Sequence, residues 1–239
     1  MLLCHSWLDR GLVVVLCLLF SPHAISDWRV GELLKSKADN LDLKSGNQSL
    51  VVSVGTLRQM NFVFQQICAR AEQPASLWIR PGERPNASAA GLGKNRITVN
   101  FAMFEMLGDK QDQWAALFGH ELAHLKLKHS MAGLKRKVPL GVLDAVIGSK
   151  VENRALGTLL GIGTKAVDAH YSQKQETDSD YLGAIWAVEA GYSAWGAVQL
   201  HEKLLAQKTS SNYPDFLKSH PSSEERIKTL SSLAKRLDQ

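Results

Sequence analysis

Two histidines four residues apart, with a glutamate directly after the first, constrain this chain more than any other feature: LFGHELAHLKLKH, residues 117–129. On an α-helix, positions i and i+4 lie about 40° apart around the axis and roughly 6 Å apart along it. The imidazoles of His120 and His124 can therefore converge on one ion, each through a ring nitrogen at about 2.0–2.1 Å. Glu121 stands about 100° round from His120. That is too far to chelate comfortably with the pair, but near enough to take a proton from a metal-activated water. Trp114, Phe118, Leu122 and Leu125 fall on one stripe nearly opposite the two histidines. The pattern thus predicts a helix from Asp109 or Asp112, its cap, to about Met131, with one face in the core and the other towards a cleft. His129 falls on the apolar stripe and reads as a structural histidine near the helix C-terminus, where a positive charge suits the dipole. A five-residue pattern is short, and a histidine-rich amphipathic helix with no metal also satisfies it.

Catalytic zinc takes three protein ligands and keeps one position open, so a third donor must come from elsewhere. Downstream, AHYSQKQETDSDYLGAIWAVEAGY (169–192) places Glu176 and Asp180 one helical turn apart. Glu176 is the candidate third ligand. Asp180 can stand behind, accepting a hydrogen bond from a ligand's second ring nitrogen and so fixing its tautomer. On its own such an acidic cluster is a solvated helix start; its meaning comes from the pairing with the first motif.

The rest of the chain bounds the setting. Its 239 residues suffice for one domain with a small appendage, and 45% hydrophobic against 21% charged residues is a globular composition able to bury a core. The formal net charge of +5 is spread out, with no basic block longer than KRK at 135–137, which argues against a nucleic-acid groove. Near the N-terminus, Arg10 precedes an apolar run from Gly11 to Phe20, and AIS ends at Ser26. That run is about half of the roughly twenty residues a membrane span needs. It predicts a cleaved signal peptide over 1–26 and a single domain over 27–239. Cys4 and Cys17 fall in that signal, so the mature chain keeps Cys68 alone and has no internal disulfide. The spacing predicts a helix from about Leu41 to Glu72, a strand at 76–81, two strands in 86–101, and helices at about 174–190, 194–208 and 222–237. Ser222 with Glu225 is the predicted capping box of the last helix. Residues 138–169 read as helical and rich in small residues. Their glycines (Gly157, Gly161, Gly163) pack helices and do not cradle phosphate, because no strand precedes them.

Together the two motifs resemble the M48 family of zinc metallopeptidases, which includes prenyl-protein proteases, a heat-shock membrane protease and envelope quality-control proteases of Gram-negative bacteria. The resemblance covers roughly residues 45–235. It implies one zinc per chain held by His120, His124 and Glu176, with Glu121 as catalytic base and Asp180 behind the ligands. NASAA (86–90) looks like the family's substrate-binding strand, which implicates Asn86 and Ala87. SHPSSEERIKTL (219–230) looks like its C-terminal stretch, in which His220 is a latch or fourth ligand, or merely shapes the entry to the last helix. The middle of the acidic motif departs from the common pattern, with Asp178 and Ser179 where other members carry Glu and Ala. The transmembrane helices of the prenyl and heat-shock members are missing, which makes a prenyl-protein substrate a poor fit.

The implied fold is α+β and mostly helical, a zincin-like domain with a small β-sheet beside the active-site helix. The implied function is a zinc metalloendopeptidase acting on misfolded or unassembled cell-envelope polypeptides in the periplasm. The resemblance leaves room for peripheral membrane association and an outer-membrane or assembly-machinery partner, and it involves no nucleic acid. The alternative is a zinc-stabilised envelope chaperone or binding protein with latent or negligible proteolysis. A base retained beside an open coordination position argues against that alternative; a closed four-donor site would argue for it.

Overall fold

The structure is a computed structural model that describes residues 13–15, 27–91, 94–129, 171–208 and 213–238. The predicted helical stretch at 138–169 and most of the predicted signal lie outside the described residues. In chain order the elements are β1 (Val13–Val15), β2 (Trp28–Arg29), α1 (Val30–Leu33), β3 (Asn40–Ser45), β4 (Gln48–Ser53), α2 (Val54–Ala71), β5 (Ser76–Arg80), β6 (Ala87–Ala90), β7 (Arg96–Asn100) and α3 (Phe101–Leu107). They continue with α4 (Gln111–Lys126), α5 (Gln173–Glu189), α6 (Trp195–Ala206), α7 (Phe216–Ser219) and α8 (Glu224–Leu237). Among the described residues, no helix is long and apolar enough to cross a membrane. The fold is α+β and mostly helical, with a small sheet against α4, as the resemblance implies.

The helical spacing predicted from Leu41 holds only from Val54. Residues 40–53 form a β-hairpin instead, with Leu41, Leu43, Leu50 and Val52 turned inward at period two. Gly46 reverses the chain at φ 59, a conformation that costs a glycine little. Ser53 then starts α2, its side chain accepting a hydrogen bond from the Thr56 N–H at 2.9 Å. β1 pairs in parallel with β3, so this hairpin belongs to a three-stranded sheet of its own.

The sheet predicted between residues 76 and 100 is there but extends further, because β2 joins it. Its order is β2-β5-β7-β6, with β5 and β7 parallel and β6 antiparallel to β7 at one edge. Asn100 locks this edge to the helices. Its Oδ1 accepts from the backbone N–H groups of Asn86 (3.0 Å) and Met103 (2.9 Å), and its Nδ2 donates to the Arg84 carbonyl (2.7 Å).

α4 is the centre of the molecule, touching α2, α5, α6, β6 and β7. Its apolar stripe is buried as predicted: Trp114 stacks on Phe118 at 5.3 Å between ring centroids, and Phe118 meets the edge of Phe64 on α2 at 5.2 Å. Its other face is covered too, so Gln113 to Leu125 are all buried. The crossing with α5 is made by Gly119 and Gly183, where a β-carbon on either would come within 2.7 Å of the other helix's backbone. Only two residues without side chains allow so close an approach.

Three helix ends differ from prediction. Neither Asp109 nor Asp112 caps α4; Lys110 occupies the cap, and Asp112 Oδ1 instead accepts from the Ser193 N–H at 3.1 Å, ahead of α6. α4 stops at Lys126 rather than near Met131, and Lys128 adopts φ 55. Ser223, not Ser222, caps α8 by accepting from the Arg226 N–H at 3.1 Å. Ser222 Oγ lies 2.8 Å from His201 Nδ1.

Candidate metal centre

α4 presents His120 and His124 on one side, one turn apart, with Nε2 atoms 3.0 Å from each other. α5 crosses at Gly183 and brings Glu176 to the same point. A capping box formed by Ser172 and Gln175 sets where that helix starts. The turn after α7 adds His220. Its Nδ1 lies 3.1 Å from His120 Nε2 and 3.0 Å from Glu176 Oε1. His124 Nε2 is 3.3 Å from Glu176 Oε1, and His120 Nε2 is 3.6 Å from Glu176 Oε2. All four groups offer a ligand atom within 4.8 Å of the others, and all are buried.

These separations and this chemistry fit a tetrahedral cation. Four ligands at about 2.0–2.1 Å from a central ion, at tetrahedral angles, lie roughly 3.3–3.4 Å from one another. The four separations that take Oε1 as the donor atom of Glu176, from 3.0 to 3.3 Å, lie at or just under that edge, and His120 Nε2 is 3.6 Å from the other oxygen. Converging lone pairs in a dry interior repel one another unless a positive charge sits among them. Burial also pushes His120 and His124 towards the neutral form, His124 down to about 2, and a neutral imidazole is the form that binds metal. The cleft predicted beside α4 is closed in this structure: His120 is 4% exposed, Glu121 and His124 0%, Glu176 3% and His220 1%.

A polar layer backs the four donors. Asp180 Oδ1 is 2.9 Å from His120 Nδ1, which makes that nitrogen the donor and leaves Nε2 as a lone pair. Arg226 on α8 forks onto Asp180 through Nε (2.5 Å) and Nη2 (2.8 Å). Its Nη1 reaches Glu176 Oε2 at 2.6 Å and the Pro221 carbonyl at 2.8 Å. His201 on α6 places Nε2 3.8 Å from the same Asp180 oxygen. Burial alone would raise Asp180, but Arg226, His120 and His201 outweigh it and hold the carboxyl well below its usual range. Glu176 is likewise held ionised against its burial, by His120, His124 and His220.

Glu121 is the exception. Among the described residues, neither of its carboxylate oxygens meets a donor at hydrogen-bond geometry, and His220 Nε2 lies 3.4 Å from Oε1. Burial pushes its pKa up to about 7, against weaker downward pulls from His220 and the Ala89 backbone. A buried carboxylate so weakly held by donors among the described residues is set up to handle a proton. Ala89 belongs to β6, the edge strand beside it. Of the two residues predicted at the substrate strand, Ala87 is buried and pairs with Val99, while Asn86 ties both backbone groups to Asn100. The Asn86 Oδ1 is buried without a partner.

Three residues to which the motifs do not point join the site, and a fourth, His129, makes a contact other than the predicted one. Arg226 and His201 complete the polar layer. Tyr171, just ahead of α5, stacks on His124 at 3.8 Å between centroids and 29° between planes, with His220 4.9 Å away. His129 sits past the end of α4, so the predicted interaction of a charged His129 with the helix dipole is not what it makes. It is buried, burial lowers its pKa, and its Nδ1 is 2.9 Å from His124 Nδ1. Only Arg226 had a sequence signal, its place six residues after His220 in SHPSSEERIKTL.

Comparison with known proteins places these residues in a wider group. The model of peptidase family M48 matches residues 57–234, which takes in every donor above. The chain is 26% identical to the metalloprotease LoiP of Escherichia coli over 232 residues, 93% of this chain and 87% of that protein. It is 27% identical to the beta-barrel assembly-enhancing protease of Escherichia coli over 141 residues, 55% of this chain and 29% of that one. Against the mitochondrial metalloendopeptidase OMA1 of Arabidopsis thaliana, identity is 28% over 116 residues, 48% of this chain and 23% of the relative. The chain thus spans most of LoiP and under a third of the other two.

Proposed function

Since the chain belongs to peptidase family M48, we propose that it is a zinc-dependent endopeptidase, with one zinc held by His120, His124 and Glu176 and with Glu121 as its base. The observation that carries this reading is the convergence of those donors on one point beside a buried carboxylate that meets no donor at full hydrogen-bond geometry among the described residues. When bound, zinc supplies Lewis acidity that polarises the scissile carbonyl and makes water a nucleophile near neutral pH. Glu121 accepts the proton of the attacking water and returns it to the leaving amine. Asp180 holds His120 with its proton on Nδ1, and Arg226 keeps Asp180 and Glu176 ionised and in place. The substrate adds to the edge of β6 that is unpaired among the described residues, as an extended strand, so that backbone hydrogen bonds dominate and side-chain preference is weak. Such preference suits misfolded or unassembled polypeptides. The name of the beta-barrel assembly-enhancing relative supports a cell-envelope setting, and we place the mature chain, from Asp27, in the periplasm after signal cleavage.

His220 is the latch. Support for this is that His220 Nδ1 lies 3.1 Å from His120 Nε2 and 3.0 Å from Glu176 Oε1, on the side of the donor set that an open position would use, and on this reading the closed arrangement is a latent one. The same closure favours a second reading, a zinc-stabilised envelope binding protein that never opens. Zinc content and casein cleavage by the mature chain, Glu121→Gln and His220→Ala separate the two. One zinc per chain, cleavage lost in Glu121→Gln and increased in His220→Ala support the latent peptidase. One zinc with no cleavage by the wild type or by His220→Ala supports the binding protein, and no zinc in any form defeats both.

A further inference from the structure

We propose that His129 is the positioning residue for His124: its Nδ1 accepts the hydrogen on His124 Nδ1 and so keeps His124 Nε2 a lone pair aimed at the metal. This rests on the metal-site reading above. The observation is a contact of 2.9 Å between two ring nitrogens, one on a fully buried ring and the other 7% exposed. Two nitrogens hydrogen-bond only if one of them carries the hydrogen. With His124 Nε2 committed to a cation, the hydrogen is on His124 Nδ1, and His129 Nδ1 is the acceptor. Ser179 Oγ, 3.5 Å from the same His129 nitrogen, makes at most a long second bond to it.

The local backbone is shaped for this contact. A continuous helix would carry position 129 onto the apolar stripe, five residues beyond His124. Instead α4 stops at Lys126 and Lys128 turns into the left-handed region at φ 55, folding His129 back over the last turn. A lysine in that region is strained, since its β-carbon crowds the backbone there. With this contact, each α4 histidine has its far nitrogen occupied, His120 by Asp180 and His124 by His129. The two partners differ in charge. The carboxylate behind His120 is neutralised by Arg226, whereas a neutral imidazole behind His124 adds no further negative charge to a site that already holds Glu176. Tyr171 stacked on the face of the His124 ring sets its plane, and His129 then sets its rotation within that plane.

The test compares zinc dissociation constants, by competition with a chromophoric chelator, for the wild type, His129→Leu and His129→Asn, alongside melting temperatures in excess chelator. Asparagine places Oδ1 where the histidine has Nδ1 and keeps an acceptor; leucine fills the space and removes it. His129→Leu is expected to weaken zinc binding roughly 10–100-fold, with His129→Asn recovering most of the loss and both metal-free forms melting near the wild type. A leucine variant that binds zinc as tightly as the wild type overturns the proposal. So does an asparagine variant as weak as leucine, which would show that packing alone matters. If the leucine variant does not fold, the ring-nitrogen ¹⁵N spectrum of the zinc-loaded wild type decides: hydrogen on His124 Nδ1 and none on His129 Nδ1 supports the assignment, and the reverse sinks it. A wild type that binds no zinc defeats the metal-site reading itself, and this proposal with it.

Discussion

Substituting Gly183 by alanine tests whether the metal centre depends on the contact between α4 and α5. An added β-carbon would meet the His120 backbone nitrogen at 2.7 Å and the Gly119 carbonyl carbon at 2.8 Å. Ordinary contact begins near 3.4 Å, so the helices must part by 3.4 − 2.7 = 0.7 Å. The obstructing atoms are backbone and cannot rotate away, which puts the strain at the upper end for overpacking, about 3 kcal/mol. Alanine returns about 1 kcal/mol of helix propensity. The net loss of about 2 kcal/mol corresponds to a melting temperature roughly 4–8 °C lower for a chain of this size. The effect on the site is larger in proportion. His120 and Glu176 sit on opposite sides of the crossing, and metal–ligand distances tolerate only about 0.2 Å. Calorimetry and chelator competition should therefore show lower stability and weaker zinc binding together. Gly55→Ala is the control, because its β-carbon would meet nothing closer than Ser53 Oγ at 3.6 Å, and that variant should melt at or slightly above the wild type. If Gly183→Ala melts like that control and binds zinc like the wild type, the helices are not in contact there and the reasoning is wrong.

Further outcomes follow from the same geometry. Removing zinc with a chelator should lower the melting temperature and equimolar zinc should restore it, because an ion that binds only the folded chain stabilises it by mass action; a melt indifferent to both would count against the donor set. Arg226→Gln leaves Asp180 and Glu176 buried without their cation and should cost roughly 3–5 kcal/mol in denaturant titration. Arg226→Lys should not restore it, since an ammonium cannot fork onto both carboxylates. In a chain starting at Asp27, burial pushes the Cys68 thiol up to about 12 from an ordinary 9.0. At pH 8 it should react about a thousandfold more slowly with a thiol reagent than in denaturant, the thiolate being the reactive form; comparable rates would show an accessible thiol.

How much of this was legible in the sequence depends on the distance over which each signal acts. His120, Glu121 and His124 lie within one turn of a helix, and helical geometry alone gives their angular relation. Glu176 and Asp180 were legible as a pair for the same reason, though their meeting with α4 is tertiary. The hairpin at 40–53 differs from the predicted helix because Leu41, Leu43, Leu50 and Val52 also satisfy helical spacing in part, and only the turn signal at Gly46 and Asn47 marks the reversal. Arg226 lies 46 residues from Asp180 (226 − 180), and no local periodicity links the two. The same holds for His201 and Tyr171, whose meaning comes only from the rings and carboxylates they touch. Closure of the site was not legible at all. A helical wheel shows that one face of α4 carries ligands, but not that β6, α5 and the turn after α7 cover it.

That closure has a built-in asymmetry. His120, His124 and Glu176 stand on the two long helices that cross at Gly119 and Gly183, where backbone meets backbone. His220 comes from the short α7 and the turn before α8, a segment anchored by Phe216 and Leu217 in the core, by the Arg84–Asp215 ion pair and by a few hydrogen bonds. The Phe216 N–H donates to the Pro85 carbonyl at 3.0 Å, the Tyr171 N–H to the Ser219 carbonyl at 3.4 Å, and Arg226 to the Pro221 carbonyl at 2.8 Å. At net values for two neutral hydrogen bonds and one charged one, these contribute roughly 3–6 kcal/mol, and burial of Phe216 and Leu217 adds roughly 1.5–3 kcal/mol each. A strand docking on β6 would offset part of that through its own backbone hydrogen bonds. It would do so next to Pro85, where the segment is tied down. Opening can then remove the fourth donor while the crossing keeps the other three in register, so on the latch reading the closed structure is a resting state of the peptidase.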